Sequence, residues 1–176
     1  ARDEFQGEAN IFLDANENNF KKDYNRYPDP LQLALKEQIA TLKPVHSQQI
    51  FVGNGSDEAI DLLLRIFCRS GKDKIVCMPP TYTMYQVTAA IADVEVQSIP
   101  LGNDFQPDVD QVLEQQNTAS KLLFICSPNN PTGNNIALSK ILRLVEGFRG
   151  IVVVDEAYID YSDQLSLLNF LDAYPN

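Results

Sequence analysis

Two short stretches carry side chains whose types and spacing could do chemistry. Ser127-Pro128-Asn129-Asn130-Pro131-Thr132-Gly133 follows the apolar run 122–126 (LLFIC), and Asp155-Glu156-Ala157-Tyr158 follows 151–154 (IVVV). Short apolar runs rich in β-branched residues that end in polar or turn residues predict buried parallel strands. In such sheets ligands bind at the carboxyl ends of the strands. Neighbouring strands would therefore deliver Asn130, Asp155 and Tyr158 to one rim. Prolines flank the Asn-Asn pair and Thr-Gly follows it, which makes a stiff turn with one free amide to aim. A carboxylate at the end of an apolar strand is costly unless something pairs with it. Taken singly, Asp155 reads equally as a helix N-cap or turn residue, and Asn130 as a plain turn. Taken together, across a helix-like stretch, they are hard to assign to local structure alone.

A third stretch, Gly53-Asn54-Gly55-Ser56-Asp57-Glu58, precedes an amphipathic segment. The spacing of Ile60, Leu63, Leu64 and Phe67 predicts a helix over 57–69, ended by Ser70-Gly71. Glycines ahead of a helix expose backbone N–H groups at the positive end of its dipole, an arrangement that suits a phosphate. Ser56 or Asp57 serving as an ordinary N-cap is compatible with that. Neither GxGxxG nor GxxxxGK[ST] occurs. Tyr82, after Pro79-Pro80, reads as an aromatic capping the core, and Tyr85 and Tyr27 read as packing residues. Asn16 and Glu17 lie in an amide- and acid-rich loop that reads as a solvated turn.

The elements that would position these groups follow from periodicity. Strands are predicted over 49–52, 74–78, 94–99, 121–126 and 151–154. Helices are predicted over 31–42 (started by Asp29 or Pro30, with Leu31, Leu35, Ile39 and Leu42 on one face), 107–116 (Val109, Val112 and Leu113 inward) and 139–148 (Ile141, Leu142, Leu144, Val145 and Phe148 inward). A further helix begins at Thr81, and a last one covers 165–171. Strands alternating with helices predict a parallel α/β sheet with right-handed crossovers. Residues 1–10 are polar and expected to be poorly tied down.

Composition narrows the class. The 176 residues suffice for one domain with a sizeable core, and 44% are hydrophobic. Fourteen basic and 24 acidic residues give a net charge of −10, with no basic run, which argues against a nucleic-acid partner. No apolar stretch approaches the roughly 18 residues that span a bilayer, and no signal-peptide core opens the chain. Cys68, Cys77 and Cys126 lack metal-ligand spacing and read as small buried hydrophobes of a reducing cytoplasm. The only histidine, His46, sits in a loop beside Pro44, so a histidine-rich metal site is excluded.

Six motifs, LDANEN (13–18), NRYPDP (25–30), GNGSDEAI (53–60), PPTYTMY (79–85), SPNNPTG (127–133) and DEAYIDY (155–161), together resemble the fold-type I pyridoxal phosphate aminotransferases, and within them the histidinol-phosphate branch. They stand in that family's order along nearly the whole chain. The resemblance implies an α/β fold with a mostly parallel sheet and flanking helices. Residues 49–176 would form an incomplete large domain binding pyridoxal 5'-phosphate, behind an N-terminal arm and first helix over 1–48. It implies that Asp155 pairs with the ring nitrogen and that Asn130 and Tyr158 hydrogen-bond the ring's phenolic oxygen, the three forming the catalytic set. Tyr82 would stack on the ring, and Gly55, Ser56 and Asp57 would hold the phosphate. Tyr27 would reach the phosphate of a neighbouring subunit, making the site dimeric, and the loop with Asn16 and Glu17 would help admit substrate. Where many members have a proline after that loop's last Asn, this chain has Asn19. The substrates implied are histidinol phosphate with its keto partner, and the glutamate/2-oxoglutarate pair.

In that family the lysine that joins the cofactor lies downstream of Asp155 in a Ser-Lys context, which residues 156–176 do not contain. Lys121 and Lys140 sit in other contexts and read as surface residues. The expectation is therefore the N-terminal portion of an aminotransferase, inactive alone, forming a homodimer or joining a complementary C-terminal fragment. Two alternatives stand beside it: a non-catalytic binding or oligomerisation module, and another class II aminotransferase branch.

Overall fold

The structure is a computed structural model that describes residues 7, 11, 13–18, 20 and 27–176. The expectations placed on the rest of 1–10, and on Phe12, Asn19, Asn25 and Arg26, lie outside the described residues. The chain divides into two compact units, Ala1–Ile50 and Phe51–Asn176.

The first unit holds helix α1 (Leu33–Leu42) and a 3-10 turn, Ser47–Gln49. The helix starts two residues later than its pattern predicts. The Asp29 carboxylate accepts the N–H groups of Leu31 and Leu33, each at 2.8 Å, and Gln32 takes a positive φ of 48°, so a turn precedes the helix. Those backbone donors hold the Asp29 carboxyl below its ordinary range. The predicted apolar face buries nothing: Leu35 stays 48% and Leu42 80% exposed. Among the described residues of this unit, the 3-10 turn is the only other regular element. No strand forms over the predicted 49–52: Gln49 ends the 3-10 turn, and residues 50–52 take no regular element.

The second unit runs α2 (Gly55–Phe67), β1 (Lys74–Cys77), α3 (Met84–Ile91), β2 (Glu95–Ser98), α4 (Val109–Gln115), β3 (Ser120–Cys126), α5 (Leu138–Gly147) and β4 (Ile151–Asp155). All strand pairs are parallel, in the order β2-β1-β3-β4. Alternate residues of β3 serve opposite faces, as the two-residue pleat requires. Leu123 and Ile125 pack with Ile141, Leu144 and Phe148, while Leu122 and Phe124 pack with Ile60, Leu64 and Tyr85. Covering both faces is what makes the strands continuously apolar rather than alternating.

Boundaries shift where side chains intervene. Helix α2 begins at Gly55 and ends at Phe67, whose ring stays 40% exposed rather than joining the core. Gly71 does not end that helix; it lies in the turn beyond, at φ 66°, and donates its N–H to the Asp93 carbonyl at 2.7 Å. Helix α3 begins at Met84 rather than Thr81, because Thr81 and Tyr82 are engaged elsewhere, by Asn129 and Asp57. The predicted last helix is a single 3-10 turn, Leu167–Phe170. The Glu156 carboxylate fixes its start by accepting Ser166 Oγ at 2.6 Å and the Leu167 N–H at 2.7 Å. Lys121 lies inside β3 and is half-buried, not a plain surface residue.

Candidate active site

Strands β3 and β4 end in register, Cys126 opposite Asp155, so the turn after β3 and the segment after β4 emerge side by side. The Ser127 N–H donates to the Asp155 carbonyl at 3.0 Å and extends the ladder by one bond into the turn. Ser127 Oγ accepts the Ile136 N–H at 3.0 Å, which pins the far side of the turn. The Ser127-Pro128 and Asn130-Pro131 peptides are cis.

The Asp155 carboxylate has the partner its position demands. Tyr85 donates its hydroxyl to Oδ2 at 2.6 Å, and Oδ1 accepts the Ala157 N–H at 3.1 Å. Tyr85 is fully buried, stacks on Phe124 at 4.6 Å between centroids and meets Tyr82 edge-on at 5.6 Å. Burial first, and the carboxylate beside it second, push the Tyr85 hydroxyl far above its ordinary range, so it is a permanent neutral donor. An ionised carboxylate has about four lone-pair sites. These two bonds leave Asp155 acceptor capacity to turn toward a ligand.

The start of α2 is built differently. Gly55 has φ 75°, a conformation that favours glycine, and an added Cβ there would meet nothing within 4 Å. No side chain caps this helix. The Asp57 carboxylate, a candidate cap in the sequence, instead accepts the Tyr82 hydroxyl at 3.0 Å, and that bond is the leading cause of the raised Tyr82 phenol. The N–H groups of the first turn thus stay available for an anion.

These parts meet in one cleft of about 220 Å³, lined by Asn54, Gly55, Ser56, Asp57, Tyr82, Cys126, Asn130, Asp155, Ala157 and Tyr158. A second, larger cleft of about 490 Å³ shares Asn130 and Tyr158 with it and continues past Pro131, Gly133 and Asn135 to Tyr161 and Asp163. All the expected ring- and phosphate-binding residues of the second unit therefore lie together. The Cys126 thiol lines the same cleft and is pushed upward by burial, so it is an inert wall. No lysine or arginine is among the lining residues of either cleft. Lys121 Nζ donates to the Thr118 carbonyl at 2.7 Å and Lys140 Nζ to the Pro107 carbonyl at 2.9 Å.

Tyr27, Asn16 and Glu17 belong to the first unit. There the Tyr27 N–H donates to the Glu17 carboxylate at 2.7 Å, and both residues line a separate cleft with Asp14 and Asp29, while Asn16 is exposed.

Comparison with known proteins matches residues 7–176 to the family described as Aminotransferase class I and II. The chain belongs to this aminotransferase family. It is 53% identical over 180 residues to the histidinol-phosphate aminotransferase of Cytophaga hutchinsonii, covering all of this chain and 52% of that protein. It is 50% identical over 177 residues to that of Bacteroides fragilis strain YCH46, covering all of this chain and 51% of that one. The chain thus spans about half the length of the curated relatives it matches. Among solved structures, the histidinol-phosphate aminotransferase of Sinorhizobium meliloti in complex with pyridoxal-5'-phosphate superposes with a TM-score of 0.71 at 21% identity, covering 78% of this chain and 38% of that one. The aspartate aminotransferase of Thermotoga maritima gives 0.70 at 24%, covering 82% and 42%. At those identities the likeness speaks for the fold alone: the chain shares the parallel α/β sheet with flanking helices over part of these structures.

Two residues at this candidate site are not assigned to it by the sequence. Tyr85 reads as packing, yet its hydroxyl holds Asp155, which lies 70 positions along the chain, so no local signal points to the bond. Asn129 received no role beside Asn130, because nothing local separates two adjacent amides.

Proposed function

We propose that the complete protein is a pyridoxal phosphate-dependent aminotransferase exchanging the amino group between histidinol phosphate, with its keto partner imidazole acetol phosphate, and the glutamate/2-oxoglutarate pair. The observation that carries this reading is the convergence of Gly55, Ser56, Asp57, Tyr82, Asn130, Asp155 and Tyr158, drawn from four separated motifs, on one cleft. The residues present fit the cofactor: an uncapped helix start suits a phosphate, a carboxylate with remaining acceptor capacity suits a ring nitrogen, and an amide and a phenol suit a ring oxygen. Identity of about half with proteins named histidinol-phosphate aminotransferase supports the substrate.

When bound, the cofactor supplies the electron sink for amino-group transfer. The chain's own residues supply binding and orientation. The Asp155 carboxylate holds a proton on the facing nitrogen, since an opposite charge nearby favours the charged form. The Asn130 amide and the Tyr158 hydroxyl orient the ring through its oxygen. The Tyr82 ring, anchored through its hydroxyl to Asp57, covers one face. The Gly55, Ser56 and Asp57 N–H groups receive the phosphate, while the Asp57 carboxylate stays turned to Tyr82.

No lysine lines either cleft, so a lysine acting as anchor and base would have to come from elsewhere in the complete protein. Asn16 and Glu17 serve the substrate side, and Tyr27 serves the phosphate of a partner subunit in a cytoplasmic homodimer. Among the described residues, no helix is long and apolar enough to cross a membrane. The test is glutamate formation from histidinol phosphate and 2-oxoglutarate by the complete protein. Turnover with histidinol phosphate at least tenfold better than with phenylalanine or threonine phosphate is expected; no turnover, or the reverse preference, overturns the proposal.

A further inference from the structure

We propose that Asn129 is a positioning residue: its buried amide ties the loop carrying Tyr82 to the turn carrying Asn130, so one side chain sets where both meet the cofactor. The inference rests on the function proposed above. Asn129 is only 3% exposed. Its Nδ2 donates to the Pro80 carbonyl at 2.9 Å and to Thr132 Oγ1 at 2.6 Å, and its Oδ1 accepts Thr81 Oγ1 at 2.9 Å. Its own N–H donates to the Asn134 carbonyl at 2.9 Å, and its carbonyl accepts the Gly133 N–H at 2.7 Å. Pro80 and Thr81 immediately precede Tyr82, and Thr132 and Gly133 follow Asn130 by two and three positions. One amide therefore joins two loops that are 48 and 49 residues apart at its contacts.

The residue type is dictated by this set of partners. Holding a carbonyl, a hydroxyl acceptor and a hydroxyl donor at once takes two donors and an acceptor on one short side chain, which only Asn supplies; Asp lacks the donors. A buried polar network with every member satisfied rigidifies its surroundings. Thr132 Oγ1 in turn donates to Asn134 Oδ1, and Asn134 Nδ2 donates to the Phe105 carbonyl at 3.1 Å, so the turn is braced from outside as well. Asn129 borders only the larger cleft, whereas the neighbouring Asn130 lines both.

The experiment measures pyridoxal phosphate affinity and the absorption maximum of the bound cofactor in the complete protein, alongside the Tm of the cofactor-free form. Asn129→Ala is expected to weaken cofactor binding by about tenfold or more and to move the absorption maximum, the loss that follows when buried partners are left unpaired. In an Asn130→Ala background the same change is expected to cost less than about threefold, because coupled residues are not additive. An equal loss in both backgrounds, or affinity and spectrum unchanged while only Tm falls, overturns the proposal and leaves Asn129 a stability residue. Should Asn129→Ala fail to fold, Thr81→Val removes only one of its bonds. That variant is expected to lose about threefold in affinity, and no loss overturns the proposal. Wild-type protein that binds no pyridoxal phosphate overturns the proposed function itself; wild-type binding with unaffected variants overturns only the role of Asn129.

Discussion

The turn 127–133 and the start of α2 close the same cleft, yet they spend their hydrogen bonds differently: the turn ties itself to distant loops, while at the start of α2 Asn54 bonds only to nearby Glu58, Asp57 accepts the Tyr82 hydroxyl, and no N-cap side chain takes the first-turn N–H groups. Ser127 and Asn129 are 1% and 3% exposed; the Ser127 N–H and hydroxyl oxygen, and both the side chain and the backbone of Asn129, are paired within the fold. Gly53 to Asp57 are exposed, and no side chain caps their helix. Burial explains the contrast. A buried polar group without a partner is costly, so a buried turn must saturate itself and becomes stiff. An exposed helix start can leave its N–H groups to water until an anion arrives. One end of the cleft is built to aim side chains, the other to receive a charge.

Four substitutions break or sharpen that contrast. Asp155→Asn, at the aiming end, is expected to lower kcat/KM of the complete enzyme by on the order of a thousandfold, as when a preorganised electrostatic partner is removed. Steady-state kinetics with histidinol phosphate check it, and a loss below tenfold denies Asp155 its role. Tyr85→Phe removes the hydroxyl that Asp155 accepts at 2.6 Å. Leaving that carboxylate oxygen short of a partner is expected to cost about 1–3 kcal/mol in denaturant unfolding. At the receiving end, Gly55→Ala forces a Cβ into φ 75°, at about 1–2 kcal/mol. Because nothing crowds that Cβ, the loss is expected to be relieved by restoring glycine and to come with weaker cofactor binding by titration.

The fourth substitution lies away from the cleft and serves as the control. Asp73 is 2% exposed and accepts Arg69 Nε at 2.8 Å and Nη2 at 3.0 Å, with Lys121 Nζ at 4.0 Å. The Arg69 hydrogen bonds hold its carboxyl well below the ordinary carboxylate range. A depressed folded pKa stabilises above the unfolded pKa and is lost as pH falls through the folded one. Asp73→Asn is therefore expected to lower Tm at pH 7 and to differ progressively less from wild type below about pH 4. Its cofactor affinity is expected to match wild type; a parallel loss of affinity would mean that general destabilisation explains the other variants too.

Much of this was legible in the sequence, and the reasons differ by region. Strands β1, β3 and β4 announce themselves because sheets covered on both faces need unbroken apolar runs, such as LLFIC and IVVV. The cleft residues were legible because each stands directly after such a run or directly before a helix. The failures share a cause, which is partnership decided far along the chain. Nothing near Thr81 shows that its hydroxyl will go to Asn129 and delay α3 to Met84. Nothing near Tyr85 shows that Asp155 will take its hydroxyl. Helix α1 carries a much weaker apolar face than α5, and while α5 buries Ile141, Leu144 and Val145 against the sheet, α1 buries none of its residues. Periodicity reports a face and not its partner.

The most direct test reads the protonation of the cofactor's ring nitrogen. Pyridoxal phosphate labelled with ¹⁵N at the ring would be bound to the complete protein, wild type and Asp155→Asn, and its nitrogen shift followed from pH 6 to 9. A protonated nitrogen throughout is expected in the wild type, and an unprotonated one in the variant. The same shift in both proteins would contradict that expectation, and would place the ring somewhere other than beside Asp155.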